Sequence, residues 1–337
     1  MTVITGTNWN AYDAATMTAR EIYGRTLAEL GKHNDKIVGL TADLAKTTSI
    51  VHFANAFPER FFNVGIAEQN MFGIAAGLAK AGLIPFASTM AVFACLRAGE
   101  QVRTDIAYQN LPVKIIATHA GISFGHAGTT HHCTEDFSIM RSIPNMTVIC
   151  PADGTETSKA VQACVETPGP VYIRIGRGFE PPCYDSDNYD FEIGKAVTMR
   201  EGTDLTIICC GIAVLQSIQA AKTLADQDGL SVRVVNMHTI KPIDREAILK
   251  AVTETRRILT VEEHNVVGGL GDAVGCVIAE SGKGCVFKKH GIYDEFSTIG
   301  YAEDLYAHYG LDANGIIDQV RGMVGLEFEE DENWDDE

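Results

Sequence analysis

Short runs rich in β-branched residues alternate with longer stretches of mixed polarity along the whole chain. That rhythm predicts βα units built around mostly parallel sheets. In the first half, Ile37 to Leu40, Phe61 to Val64, Ile84 to Ala87, Val113 to Ala117, Thr147 to Ile149 and Val171 to Ile175 read as strands. Between them Ala14 to Leu30, Glu68 to Ala81 and Thr155 to Glu166 read as helices, the first two stopped by Gly31 and Gly82. The second half repeats the pattern, with strands at Leu205 to Cys209, Val232 to Val235 and Ile258 to Val261. Its helices fall at Ala213 to Asp226, Arg245 to Thr255 and after Gly271. The halves are separated by EPPCYDSDNY, where two prolines and a polar run mark a linker. The expected organisation is a doubly wound α/β domain over 12–180, a linker over 181–190, and a second, smaller doubly wound domain over 191–326. The end, 327–337, is a tail too acidic to fold by itself.

The apolar pattern is interrupted at one informative place. Within FFNVGIAEQNMFGIAAG, residues 61–77, Glu68 is a lone carboxylate in an almost wholly apolar run. Apolar surroundings raise a carboxyl pKa and keep a proton available near neutral pH. A place in the first turn of a helix favours the same carboxylate through the helix dipole, so two readings of Glu68 stand. Either way it lies at a strand-to-helix switch, where open α/β sheets present their chemistry. Gly73 and Gly77, with Ala76 and Ala81, give this helix a face of small residues suited to close packing, including packing at a subunit interface.

Composition narrows the ligand classes. A net charge of −17, with no basic cluster longer than Lys288-Lys289, argues against nucleic-acid binding. An anionic ligand would therefore be met by a few local cations. No run is long enough for a membrane span, and the first residues lack a signal-peptide pattern, which makes the cytoplasm the expected compartment. Nine cysteines without a C-x-x-C pair suit a reducing environment.

Three further features carry candidate chemistry. GGLGDAVG from Gly268 has Val274 where a dinucleotide fingerprint needs glycine, so it is not read as a nucleotide loop. ATHAGISFGHAGTTHHC holds four of the ten histidines and Cys133, at spacings that match no standard zinc site. It reads as a glycine-rich loop whose imidazoles can hydrogen-bond substrate oxygen or move protons, with ordinary loop histidines as the alternative. Arginines stand at Arg20, Arg97, Arg103, Arg174 and Arg177. Arg174, inside the strand-like VYIRIG, either points from the strand end toward an anion or pairs with an internal carboxylate.

Five motifs in order, TADL (Thr41 to Leu44), FFNVGIAEQN, ATHAGISFG…GTTHH, RSIPNMTVICPADG (Arg141 to Gly154) and TVEEHNVVGGLG (Thr260 to Gly271), resemble the C-terminal half of transketolase. The likeness covers residues 14 to 325 and is similar in form to the C-terminal subunit of a split transketolase. It implies a pyrimidine-binding domain followed by a transketolase C-terminal domain. It implies thiamine diphosphate and Mg2+ as cofactors, with Glu68 contacting the aminopyrimidine, Phe93 stacking on it, and Asp43 and Met90 close by. His119 and His131 match histidines of the substrate channel, and Glu68, His131 and His119 are the expected catalytic groups. Arg20, Thr47, His119 and Arg174 match positions that grip the sugar-phosphate end. A phosphate or sulfonate oxyanion suits paired arginines.

Two departures stand out. Where the family commonly has an acidic pair, this chain reads Gly125-His126-Ala127-Gly128, which puts Ala127 in place of an aspartate that contacts a sugar hydroxyl, beside His126. Met90 replaces an aromatic near the pyrimidine. The family's GDG motif for diphosphate and metal is absent, and no metal ligand is expected on this chain. The resemblance therefore implies an N-terminal partner subunit carrying that domain, an α2β2 assembly and small sugar substrates, with no nucleic-acid or membrane partner. The expected reaction moves a two-carbon ketol unit from a ketose to an aldose phosphate. The alternatives are the β subunit of a 2-oxoacid dehydrogenase decarboxylating component and a catalytically silent subunit.

Overall fold

A computed structural model describes residues 16–178, 180–184 and 189–325. The start of the expected first helix, part of the linker and the acidic tail lie outside the described residues. The first sheet has seven strands, β1 (Ile37–Thr41), β2 (Phe61–Asn63), β3 (Ile84–Met90), β4 (Lys114–Thr118), β5 (Thr147–Ile149), β6 (Val171–Arg174) and β10 (Thr239–Lys241). Their order across the sheet is β10-β5-β6-β4-β3-β1-β2. The second sheet has five, β7 (Val197–Arg200), β8 (Leu205–Cys209), β9 (Val232–Asn236), β11 (Arg257–Asn265) and β12 (Val286–Ile292), in the order β12-β11-β8-β9-β7. All pairings are parallel except β10 on β5 and β7 on β9. The buried strands read as continuous apolar runs because helices cover both faces of such sheets.

β10 joins the halves. It comes from the second half of the chain yet forms an edge of the first sheet, and the Lys241 ammonium donates to the carbonyls of Arg141 and Ile143. Helix α1 (Ala19–His33), capped by the Thr18 hydroxyl, runs on through Gly31. That corrects the expected stop there: a Cβ on Gly31 would lie 2.5 Å from Phe57 and 2.7 Å from Phe53, so this glycine admits two rings. Gly82 behaves as expected, at φ 91° just past helix α2 (Glu68–Lys80).

Each sheet has a topological switch point. From β1 the chain moves outward to β2 and then returns across β1 to β3, so a crevice opens beyond the C-terminal ends of β1 and β3. In the second sheet the corresponding place lies between β8 and β11. Asp43, Phe93 and the loop after β4 surround the first crevice. Glu262, Glu263 and His264 lie toward the end of β11, at the second.

Candidate active site

β2 ends at Asn63, Gly65 turns the chain at φ 74°, and α2 begins directly on Glu68. The Asn63 amide fixes this entry. Its Oδ1 accepts from the backbone N–H groups of Asp43 and Gly65, and its Nδ2 donates to Asp43 Oδ1 at 3.2 Å. Asp43 is exposed at φ 61°, at the lip of the crevice. Glu68 is only 2% exposed, so both sequence readings meet in one residue: a first-turn acid that is also buried. Arg97 Nη1 donates to its carboxylate at 3.0 Å. An open cleft of about 520 Å³ is lined by residues 66–70 and Arg97.

Phe93 and Arg97 bound a π-helical turn, and the guanidinium lies back over the ring at 4.2 Å. Met90, the last residue of β3, is buried just before this turn. Phe93 meets His131 edge-on at 5.6 Å. His131 in turn meets Phe124 at 5.5 Å, and its Nδ1 shares a hydrogen bond with the Thr130 hydroxyl. Phe124 is the hub. His119 lies 5.0 Å from its ring centre, His126 4.9 Å, and the Arg177 guanidinium 4.8 Å. A continuous row of contacts thus runs from Glu68 through Arg97, Phe93 and His131 to His119 and Arg177.

His119 follows β4 in a left-handed conformation, φ 59°, with Nδ1 bonded to the Thr118 hydroxyl. Burial, reinforced by the positive charges of Arg20 and Arg177, pushes its pKa down to about 3. It is therefore a neutral imidazole at physiological pH, able to donate or accept one hydrogen bond without carrying charge. Arg20, in the first turn of α1, donates Nε to the Arg177 carbonyl at 2.9 Å and Nη1 to the Thr47 carbonyl. Burial pulls its pKa down while Glu180 opposes the shift. Arg20, Thr47, His119 and Arg177 are thus brought together. His126 is exposed at the rim, and Ala127 is half-buried in the short turn Gly125–Ala127.

Arg174 is not among them, which corrects its expected grip on an anion. It is 4% exposed, its Nε donates to Asp136 Oδ2 at 2.9 Å, and its Nη2 donates to the Glu263 carbonyl at 2.7 Å. The internal-carboxylate reading is the one the fold adopts, because an unpaired guanidinium inside a strand costs too much to persist. Arg177, three residues on and beyond the strand end, lies beside Arg20 and His119 instead. Sequence reasoning gave no role to Arg177, Arg97 or Phe124. The signal for Arg177 was present in its flanking Gly176 and Gly178, which take it out of the strand.

Among the described residues no group of three or more His, Cys, Asp or Glu side chains is arranged to hold a metal, and no helix is long and apolar enough to cross a membrane.

The model of the transketolase pyrimidine binding domain matches residues 15–179, and that of the transketolase C-terminal domain matches residues 194–316. A putative transketolase C-terminal section from Methanocaldococcus jannaschii is 46% identical, over 89% of this chain and 94% of its own length. One of the subunits of an apulose-4-phosphate transketolase from Phocaeicola vulgatus is 41% identical, over 93% of this chain and 97% of its own. Among solved structures, a split-gene transketolase described as an inactive beta4 tetramer superimposes with a TM-score of 0.83 at 45% identity, covering 92% of this chain and 99% of that one.

Proposed function

The chain belongs to the transketolase family, and from that premise we propose that it is the C-terminal subunit of a split transketolase, completed by an N-terminal partner chain. The reaction is transfer of a two-carbon ketol unit from an anionic ketose to an aldose phosphate. The observation that carries this reading is the row of contacts itself. It has a buried acid at one end, two arginines at the other and a neutral imidazole between them.

The family depends on thiamine diphosphate, and the residues present fit the pyrimidine half of that cofactor. Glu68 is a buried carboxylate at the edge of an open cleft, paired with Arg97, whose guanidinium lies over the Phe93 ring. The diphosphate and Mg2+ are assigned to the partner subunit, in an α2β2 assembly. Bound there, the cofactor would supply a carbon acid whose conjugate base is the nucleophile and a cationic ring that serves as electron sink. Glu68 holds or releases a proton toward the pyrimidine ring, and Phe93 presents a face to it. Arg97 must give up its place over Phe93 for that face to be used. His131 and the neutral His119 hydrogen-bond the donor's carbonyl and hydroxyl oxygens. Arg20 and Arg177 meet the phosphate or sulfonate end. Ala127 leaves one sugar hydroxyl without an acidic partner, which widens the choice of donor.

The relatives on which the family rests are transketolase sections and subunits, which leaves a 2-oxoacid dehydrogenase β subunit less supported. The test is co-purification with the chain encoded beside it, then a ketose and aldehyde panel with thiamine diphosphate and magnesium. Ketol transfer by the mixture supports the reading. Acylation of a lipoyl domain from a 2-oxoacid, with no ketol transfer, overturns it.

A further inference from the structure

TVEEH, at the end of β11, carries two buried carboxylates that the functional reading leaves without a task. Glu262 acts within its own domain. Its oxygens accept from the N–H groups of Leu270 and Gly271 at 2.6 and 2.8 Å, at the start of helix Leu270–Ser281. Glu263 reaches across the domain boundary instead. Its Oε1 accepts the Ile122 N–H at 2.9 Å and the Tyr306 hydroxyl at 3.1 Å, and its Oε2 lies 3.6 Å from Arg174 Nη1.

The point it grasps is the neck of the histidine loop. Gly121 and Cys133 exchange two backbone hydrogen bonds, at 2.9 and 2.8 Å, so the loop closes on itself there. His119 stands two residues before Gly121, and His131 two before Cys133. Gly121 has φ 59°, and a Cβ on it would lie 2.3 Å from Glu263 Cδ, so the neck is pressed directly onto the carboxylate. No side chain fits between them. Arg174, held by Asp136 on its other side, fixes the carboxylate in turn.

We propose that Glu263 is a positioning residue for the transfer reaction: a carboxylate of the second domain sets the neck of the histidine loop, and through it the places of His119 and His131, without touching substrate. The geometry stands by itself, and the consequence for the reaction rests on the functional reading above. Removing the acceptor leaves the buried Ile122 N–H without a partner, so the neck opens. The loss falls on the grip of substrate, while Glu68, carried by a different element, keeps its place.

Two measurements test this. In the chain alone, Glu263→Ala is expected to accelerate amide exchange across 119–133 about tenfold or more, with 205–209 unchanged, whereas Glu263→Gln, which keeps an oxygen acceptor, stays within about twofold of the parent. In the complex with the partner chain, Glu263→Ala should raise KM for a ketose phosphate about tenfold at nearly constant kcat, and Glu263→Gln should restore it. Tyr306→Phe removes one donor from the same carboxylate at little cost to packing, and should move KM in the same direction by about two- to threefold. It keeps the question open to test if Glu263→Ala does not fold. Unchanged exchange across 119–133 in Glu263→Ala, or a fall in kcat with KM unmoved, overturns the proposal. If the parent complex transfers no ketol unit, the functional reading fails, while the exchange comparison still decides whether Glu263 holds the loop.

Discussion

The two doubly wound domains have the same kind of crevice and fill it differently. At the first switch point, between β1 and β3, Asp43 and Phe93 follow the strand ends, and an open cleft lined by residues 66–70 and Arg97 lies beside the Phe93 ring that Arg97 covers. At the second, between β8 and β11, Glu263 meets the backbone of that same loop and Arg174 closes the space. Neighbouring segments reinforce the join: Asn265 N–H donates to the Thr134 carbonyl, and His264 stacks on Phe137 at 5.0 Å. On the proposed function, one switch point presents chemistry and the other holds the elements that present it. Shared topology thus locates a crevice without telling what occupies it.

The largest effect should separate the two crevices by their function. Glu68→Ala in the reconstituted complex is expected to lower kcat by about 10²–10⁴-fold, with thermal unfolding of the chain little changed, because the lost group handles a proton. Turnover close to that of the parent would remove Glu68 from its assigned role. Arg174→Leu tests the opposite crevice: it leaves Asp136 and Glu263 without their shared guanidinium, and denaturant unfolding should show a loss of about 3–5 kcal/mol. If that variant instead only weakens the binding of a phosphorylated sugar, Arg174 belongs to the open site after all. Arg177→Ala should raise KM for phosphorylated substrates about ten- to a hundredfold and leave an uncharged ketose unaffected.

A smaller effect distinguishes the crevices by the sign of their titration. His119 is held neutral with its pKa near 3, so between that value and the ordinary 6.5 the unfolded chain binds the extra proton. Its contribution to stability is present above pH 6.5 and lost as pH falls, chiefly through burial and then through Arg20, Arg177 and the neighbouring His131. Glu263 is pushed up to about 7 by burial, with Arg174, the Ile122 N–H and Tyr306 opposing the shift and Asp136 adding to it. Here the folded chain binds the extra proton between the ordinary 4.5 and 7, so this group's cost is present above pH 7 and fades as pH falls. Relative to the parent, His119→Gln should therefore gain stability as pH drops below 6.5, and Glu263→Gln should lose its relative advantage over the same range. Urea midpoints at several pH values would show both, and trends of the same sign would contradict the contrast. Ala127→Asp should give the smallest shift, a change in donor ranking of about a few fold if that position reads a hydroxyl.

The open crevice was largely legible in the sequence. Glu68 stood out because an acid in an apolar run needs a partner or a task, and the alternation of runs placed it at a strand-to-helix turn. The closed crevice was much less so. TVEEH reads as a motif, but its carboxylates act on residues far along the chain, as the 141-residue separation of Ile122 and Glu263 shows, and no local pattern encodes that contact. β10 was missed for the same reason: three residues carry no periodicity, and their partner strand lies in the other half of the chain. Arg174 and Arg177 lie three residues apart around one apolar run, and only the end of the strand, set by its pairing with β4, tells them apart: Arg174 stays inside β6, while Arg177 lies past it beside Arg20.

The central claim is that the open crevice is half of an active site. The most direct measurement titrates the purified chain with its N-terminal partner, in thiamine diphosphate and magnesium, while following ketol transfer from a ketose phosphate. The account predicts no turnover by either chain alone and activity that rises to saturation at equal amounts of the two. Full turnover by this chain without a partner would contradict it.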